Sequence, residues 1–379
     1  MRLVWIEARD FRNHAETHLE VPDGLAVAVG ANGAGKTNLL EAMHYGLALA
    51  SPRSSSDQPL IRRGAGAAYV RCEVEGANGR ALVEVEIRPV GANRVQVNRS
   101  GLRRRRDIRR VARAVFFGPA DLDVVQGGAE ARRGFLDEAV ATIWPSREPT
   151  AAAYEKVLRQ RNRLLKEWEG RGEPPDLAAW DEELVAAGSA LTAARGEAVE
   201  RLSPLANEEF RSLTGYGVEA TYAPSVQTEG GRGVDELQVA FRARLAERRG
   251  DELVRRVTLV GPHRDDLTLA VRDMTARTFA SHGEAWAAAL SLRLGQAAAA
   301  AGEMGEPPVL LLDDPFPGLD PERQGRLAAR VSGRGQTVLS VADQAHVPAG
   351  AAVVWAVEDG TVTSLSGTGG SEREPGGGP

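Results

Sequence analysis

Three scarcities bound what this chain can do. Cysteine occurs once, as Cys72, in 379 residues. A lone thiol forms no internal disulfide and no cysteine-based metal site, which fits a reducing cytosol, and its ordinary place is the core. Lysine occurs only as Lys36, Lys156 and Lys166, so nearly all of the 47 basic residues are arginine. With so much alanine and glycine, that bias reads as GC-rich codon usage and carries no mechanism. Positive charge is not in excess either: the net charge is −5, so any nucleic-acid contact must come from a local patch. No run is long and apolar enough to span a membrane, and residues 1 to 10 meet charge before a leader-like core develops. The expectation is a cytoplasmic protein, neither secreted nor membrane-inserted. At 42% hydrophobic and 26% charged, the chain has room for two domains or one large core.

Against this background one stretch carries chemistry. Gly30, Ala31, Asn32, Gly33, Ala34, Gly35, Lys36 and Thr37 match G-x-x-x-x-G-K-[ST] letter for letter. The apolar run 25 to 29 before it suits a buried strand, and Asn38-Leu39-Leu40-Glu41-Ala42-Met43 after it suits a helix start. Such a loop turns its backbone N–H groups onto phosphates, Lys36 reaches the β/γ-phosphates and the Thr37 hydroxyl suits Mg²⁺.

The rest of the chain falls into three parts. Up to about residue 118, short strand-like runs alternate with turns, including 68–74, 81–87 and 94–98, whose alternation is that of half-buried antiparallel strands. Eight arginines then lie between Arg99 and Arg113, with Arg103, Arg104, Arg105 and Arg106 at their centre and only Asp107 opposing them. That density suits phosphate contacts equally as well as it suits a solvated face. From 128 to 250 the apolar period becomes helical, with a break at 171–176 that predicts a helical hairpin or small bundle. A glycine-rich loop at 228–233 reads as a surface turn, because no Lys-Ser or Lys-Thr follows it. Strand character returns at Arg256 to Val260, and Val309-Leu310-Leu311-Leu312 runs into Asp313-Asp314. Residues 367–379 have no apolar anchor and read as a disordered tail.

A phosphate loop near one end and an apolar strand closing on paired carboxylates near the other imply one α/β head assembled from both ends. The predicted architecture is a mixed sheet of the ABC ATPase kind, with a helical arm at 128–250 inserted between head segments 1–127 and 251–366. In such a head Asp313 would hold the Mg²⁺ shell and Asp314 would orient or deprotonate the attacking water. Ser281 and Gly283 open a helix as an anion site facing the γ-phosphate on another subunit, and Ser281 with Glu284 also spells a capping box; both can hold at once.

The strings Phe11-Arg12-Asn13, Gly30 to Ala42, Asp57 to Arg62, Arg132-Arg133-x-Phe135-Leu136-Asp137, Val157 to Asn162, Thr258 to Leu267 and Phe279 to Glu284 resemble the RecF family of SMC-like ABC ATPases over nearly the whole chain. The resemblance implies an ATP-dependent DNA-binding protein of recombinational repair and replication. It would bind single-stranded or gapped DNA and dimerise on ATP, act with RecO and RecR, and support RecA loading and the SOS response. By the same resemblance Gly30 to Thr37 correspond to Walker A, Asp313 and Asp314 to Walker B, Ser281 to Glu284 to the signature motif and Leu319-Asp320 to the D-loop, with Arg12 near the phosphates. The chain departs from the family at Ser51-Pro52-Arg53, at Ala120 and at Gly318. Pro315 and Pro317 stiffen the loop after Asp314, which would slow hydrolysis. A scaffold that binds ATP and DNA with little hydrolysis, or another ABC or SMC-like head, are the alternatives.

Overall fold

The computed structural model describes residues 1–170, 172–228, 233–317 and 319–365. Gly230, Gly231 and Arg232 of the glycine-rich loop, Gly318 and the 367–379 tail lie outside the described residues. In chain order the first unit contains β1 (Arg2–Phe11), β2 (His14–Glu20), β3 (Leu25–Val29), α1 (Lys36–Ala48), β4 (Ala68–Gly76), β5 (Gly79–Ile87), β6 (Arg94–Val97), β7 (Ser100–Gly101) and β8 (Ala114–Phe117). The second unit contains α2 (Leu122–Gln126), α3 (Ala129–Ile143), α4 (Pro149–Glu167), α5 (Leu177–Thr214), β9 (Val218–Ala223), α6 (Val234–Arg255), β10 (Asp266–Val271), β11 (Met274–Thr275), α7 (Ala276–Phe279) and α8 (His282–Met304). The chain then returns to the first unit with β12 (Val309–Leu312), α9 (Pro321–Ser332), β13 (Thr337–Val341), β14 (Val353–Glu358) and β15 (Thr361–Leu365).

The first unit holds two six-stranded sheets. One is antiparallel, ordered β2-β1-β4-β5-β6-β7. Its strands alternate as the sequence predicts: Ala68, Val70, Cys72 and Val74 of β4 are buried while their neighbours are not. The other is ordered β15-β14-β3-β13-β12-β8, with parallel pairings throughout except the β14–β15 edge hairpin. Here β3, β8, β12 and β13 are buried at every position, the pattern expected of parallel strands covered on both faces. Helix α1 packs on both sheets, so Leu39, Leu40 and Met43 share one core with Val70 and Val83 of the first sheet and Ala26, Leu311 and Val338 of the second. Cys72 lies in that core, its thiol pushed up to about 12 by burial, and is inert there.

The second unit covers residues 120–305. The predicted hairpin is α4 and α5, packed with α6 around Tyr154, Leu184, Leu191, Phe241 and Leu245. Residues 251–305, grouped with the head on sequence grounds, pack in this unit, because α8 lies along α5 and α3. Two local readings are corrected. The stretch 128–250 is not wholly helical: Val218-Glu219-Ala220-Thr221-Tyr222-Ala223 alternates buried and exposed and pairs with β10 as a strand. Conversely, 256–260 is not a strand. Its N–H groups find side chains instead of a sheet: Asn162 Oδ1 accepts from Thr258 N–H at 2.8 Å, and Glu252 Oε1 accepts from Leu259 N–H at 2.7 Å.

Candidate nucleotide site

The loop between β3 and α1 closes because two of its glycines take backbone angles other residues avoid. Gly33 has φ +85° and Gly35, at the N-cap of α1, has φ +118°. A Cβ at Gly35 would also stand 2.6 Å from Asn13 Nδ2. The loop is held from outside by Asn13 Nδ2 and by the Gly360 N–H of the β14–β15 turn, both donating to the Ala34 carbonyl at 3.1 and 2.8 Å. His14 spans the same region, one ring nitrogen 3.1 Å from the Gly35 carbonyl and the other 2.8 Å from that of Gly360; burial lowers its pKa. Inside the loop Lys36 Nζ donates to the carbonyls of Gly30 at 2.6 Å and Ala31 at 3.0 Å. Burial lowers the Lys36 pKa, and the nearby charges of Asp314 and Asp313 oppose that shift.

The register of the parallel sheet brings the far carboxylates here. β12 pairs with β13 through Leu312 and Leu339, which sets Ser340 beside the start of the acidic pair. Thr37 Oγ1 donates to Asp313 Oδ1 at 2.9 Å, and Ser340 Oγ donates to the same oxygen at 2.8 Å. The Asp314 N–H in turn donates to Ser340 Oγ at 3.0 Å. Burial raises the Asp313 pKa, with the Ser340 and Thr37 hydrogen bonds pulling it back. Half-buried Asp314 is raised first by burial and then by the charge of Asp313; Lys36 and His346 oppose. Its φ of +47° is the left-handed region, a conformation that costs free energy and is typical of functional positions. Ser340 and His346 were not found from sequence. A serine inside an apolar strand carries no signal until the neighbouring strand is known. Beyond Asp314, Phe316 is buried and its carbonyl accepts from Leu319 N–H at 3.0 Å. Asp320 then caps α9 by accepting from Arg323 N–H at 2.9 Å, with Pro321 as the first helical residue.

Arg12 is near this site but committed. Its guanidinium donates twice to fully buried Glu41, both bonds at 2.8 Å, and once to the Pro59 carbonyl at 2.9 Å. Ser51 of the divergent Ser51-Pro52-Arg53 step donates to the same Glu41 at 2.6 Å, and Arg53 donates to Asn38 Oδ1 at 3.0 Å. The arginine cluster splits in a similar way. Arg105 donates to Asp57 at 3.0 Å and to the Tyr45 hydroxyl at 2.9 Å, whereas Arg103 and Arg104 are exposed and Arg106 is half-buried.

In the second unit, Ser281 is the N-cap of α8 and the capping box is formed. Ser281 Oγ accepts from Glu284 N–H at 3.3 Å, and Glu284 Oε2 accepts from Ser281 N–H at 2.9 Å. Gly283 is in the first turn of that helix.

A profile described as RecF/RecN/SMC N terminal domain matches residues 2–356. The chain is 40% identical over 366 residues to the DNA replication and repair protein RecF of Cutibacterium acnes, covering 90% of this chain and 93% of that one. It is 40% identical over 372 residues to the protein of the same name from Streptomyces avermitilis, covering 96% and 99%. Among solved structures, the recombination mediator protein RecF-ATP in the RecFOR pathway superposes with a TM-score of 0.87 at 28% identity, over 96% of this chain and 97% of that one. The Smc head domain from Pyrococcus furiosus superposes at 0.55 and 18% identity over 96% of each, a likeness of fold. The architecture is thus an α/β head of the ABC ATPase kind shared with SMC proteins. Within that class the chain belongs to the RecF family.

Proposed function

We propose that the protein is an ATP-dependent DNA-binding protein of recombinational repair and replication, with ATP in the loop Gly30 to Thr37. The observation that carries this is the 2.9 Å contact between Thr37 and Asp313, which joins a phosphate-loop hydroxyl to a carboxylate 276 positions away. Two hard oxygen donors side by side suit Mg²⁺, which takes one or two protein ligands and completes its shell with water and nucleotide phosphates. Among the described residues no group of three or more His, Cys, Asp or Glu could hold a metal ion, in keeping with a cation that arrives with its nucleotide. When bound, Mg²⁺ would neutralise charge on the β/γ-phosphates.

Lys36 is poised to exchange the Gly30 and Ala31 carbonyls for phosphate oxygens. Asp314, beside Asp313, is the group to orient or deprotonate the attacking water. Arg12 acts at one remove, by fixing Glu41 on α1. Ser281 and Gly283 of a second copy would complete the site around the γ-phosphate, making the ATP-bound form a homodimer. The division into an ATPase head and a helical arm is part of this reading, with 251–305 taken out of the head and placed with 128–250 in the second unit. So are the relatives' placement in the RecFOR pathway, partnership with RecO and RecR, RecA loading, and single-stranded or gapped DNA as the ligand.

The test is ATP hydrolysis and ATP-dependent DNA binding in Lys36→Ala and Asp314→Asn. Lys36→Ala should lose both, and Asp314→Asn should keep ATP binding while hydrolysis falls by about 10² or more. Parent-like behaviour of both variants would sink the assignment. Slow hydrolysis in the parent is favoured by Pro315 and Pro317, which stiffen the loop beside Asp314.

A further inference from the structure

The Ser281 hydroxyl is already engaged by Glu284, and Tyr216 and Arg272, which hold that carboxylate, belong to no motif. Ser281 Oγ donates to Glu284 Oε2 at 2.8 Å, so the proton that an incoming phosphate would claim points at this carboxylate. The other oxygen, Glu284 Oε1, accepts from the Tyr216 hydroxyl at 2.5 Å and lies 3.8 Å from Arg272 Nη2. The Arg272 guanidinium lies over the Tyr216 ring, 3.8 Å from its centroid, and Phe210 meets the same ring edge-on at 5.6 Å. With donors on both oxygens, Glu284 is held ionised, its carboxyl lowered to about 2 chiefly by Tyr216 and then by Ser281.

Arg272 reaches this position at a backbone cost. Val271 pairs with Met274, so β10 and β11 are joined by the two residues Arg272 and Asp273, with φ +51° and +63°. Two-residue hairpin turns with both central φ values positive favour Asn-Gly or Asp-Gly. The other such turns here put Asn98 and Asp359 first, residues that tolerate the left-handed region. An arginine at that place is the poorer choice for the turn, and a persistent backbone outlier points to a function that keeps it.

We infer that Arg272 and Tyr216 are positioning residues for the nucleotide sandwich: they fix Glu284 in the capping box and thereby set the orientation in which Ser281 is offered to the γ-phosphate on a second copy of the chain. The inference rests on the reading of Ser281 given above. It assigns Arg272 a role that its turn position opposes, so stability and function must separate on substitution. Arg272→Gly relieves the turn and removes the guanidinium. Asp273→Gly relieves the same turn and keeps it. Tyr216→Phe keeps the ring under Arg272 and removes only the hydroxyl.

The experiment measures the midpoint of ATP-dependent dimerisation by light scattering on the full chain with Mg²⁺ and ATP, alongside thermal melting. Arg272→Gly should melt no lower than the parent yet need about tenfold more protein to dimerise, within the range of coupling between linked sites. Tyr216→Phe should fall between it and the parent, and Asp273→Gly should dimerise like the parent. Parent-like dimerisation of both Arg272→Gly and Tyr216→Phe would overturn the inference, as would an equal loss in Asp273→Gly. Ser281→Arg separates the two levels. If it dimerises normally, the sandwich reading itself fails; if it stays monomeric while Arg272→Gly and Tyr216→Phe match the parent, only the positioning role fails.

Discussion

The two most motif-like stretches of the chain behave in opposite ways. In the phosphate loop the polar groups are satisfied only provisionally: Lys36 rests on loop carbonyls that phosphate oxygens can replace, and Thr37 leans on Asp313 through a hydroxyl that suits a cation. In the string Gly261 to Leu267, exposed Arg264 apart, they are consumed. His263 Nδ1 accepts from the Tyr154 hydroxyl at 2.6 Å and Nε2–H donates to the Thr258 carbonyl at 3.0 Å, Asp265 accepts from Tyr222 and from Ser225 N–H, and Asp266 takes two bonds from Arg132. A string that resembles a family's can thus owe its residues to the polar network it ties together. Sequence specificity and chemistry are separate properties. What distinguishes the reactive stretch is that its internal partners are exchangeable.

The sharpest way to break this contrast is to cut the buried network. Arg161 is fully buried and donates to Asp181 at 2.8 Å, Thr258 at 2.7 Å and Glu252 at 2.6 Å. Arg161→Ala leaves fully buried Glu252 without its paired cation, although Asp181 keeps Arg249, and should cost about 3–5 kcal/mol in denaturant unfolding, while the folded fraction still binds ATP. Unchanged stability would mean that the network is ornamental. A milder probe is pH. The half-buried His263 has its pKa pushed down to about 4 from 6.5, chiefly by desolvation, so the fold keeps the ring neutral. Its contribution is fully present above 6.5 and is lost as pH falls through that value towards about 4, a total of about 3 kcal/mol. The slope of stability against pH in that window should flatten in His263→Gln; an equal slope would place the titration elsewhere.

On the other side of the comparison, Ser340→Ala removes a donor to Asp313 and the acceptor for the Asp314 N–H. Hydrolysis should fall about tenfold with ATP affinity nearly intact, the equivalent of about 1.4 kcal/mol. A larger loss of affinity than of turnover would make Ser340 part of nucleotide binding. The smallest effect is expected where charge faces solvent. Neutralising Arg103, Arg104 and Arg106 should reduce the slope of log affinity for DNA against log salt by about one for each phosphate that is no longer neutralised. An unchanged slope returns these residues to ordinary surface. Arg105, tied to Asp57 and Tyr45, belongs to the fold in either case.

What the sequence determined by itself is the periodic and the local. The motif Gly30 to Thr37 states its own backbone geometry, because glycine is what the left-handed angles at 33 and 35 require. Buried parallel strands, alternating antiparallel ones and the α4–α5 hairpin follow from the spacing of apolar residues. Non-local pairing is what the sequence could not express. Strand β9 hid in a helical stretch because six alternating residues are decided by their partner β10, and 256–260 failed as a strand because Asn162 and Glu252 answer its N–H groups first. In the same way, only the register of β12 against β13 makes Ser340 a neighbour of Asp313, and only the fold aims Arg12 at Glu41. Tyr216 lies 68 positions from Glu284 and meets it only in the fold, and the tight turn between β10 and β11 sets Arg272 over the Tyr216 ring. A hydrogen bond depends on position to within tenths of an ångström, and that precision belongs to the packed structure.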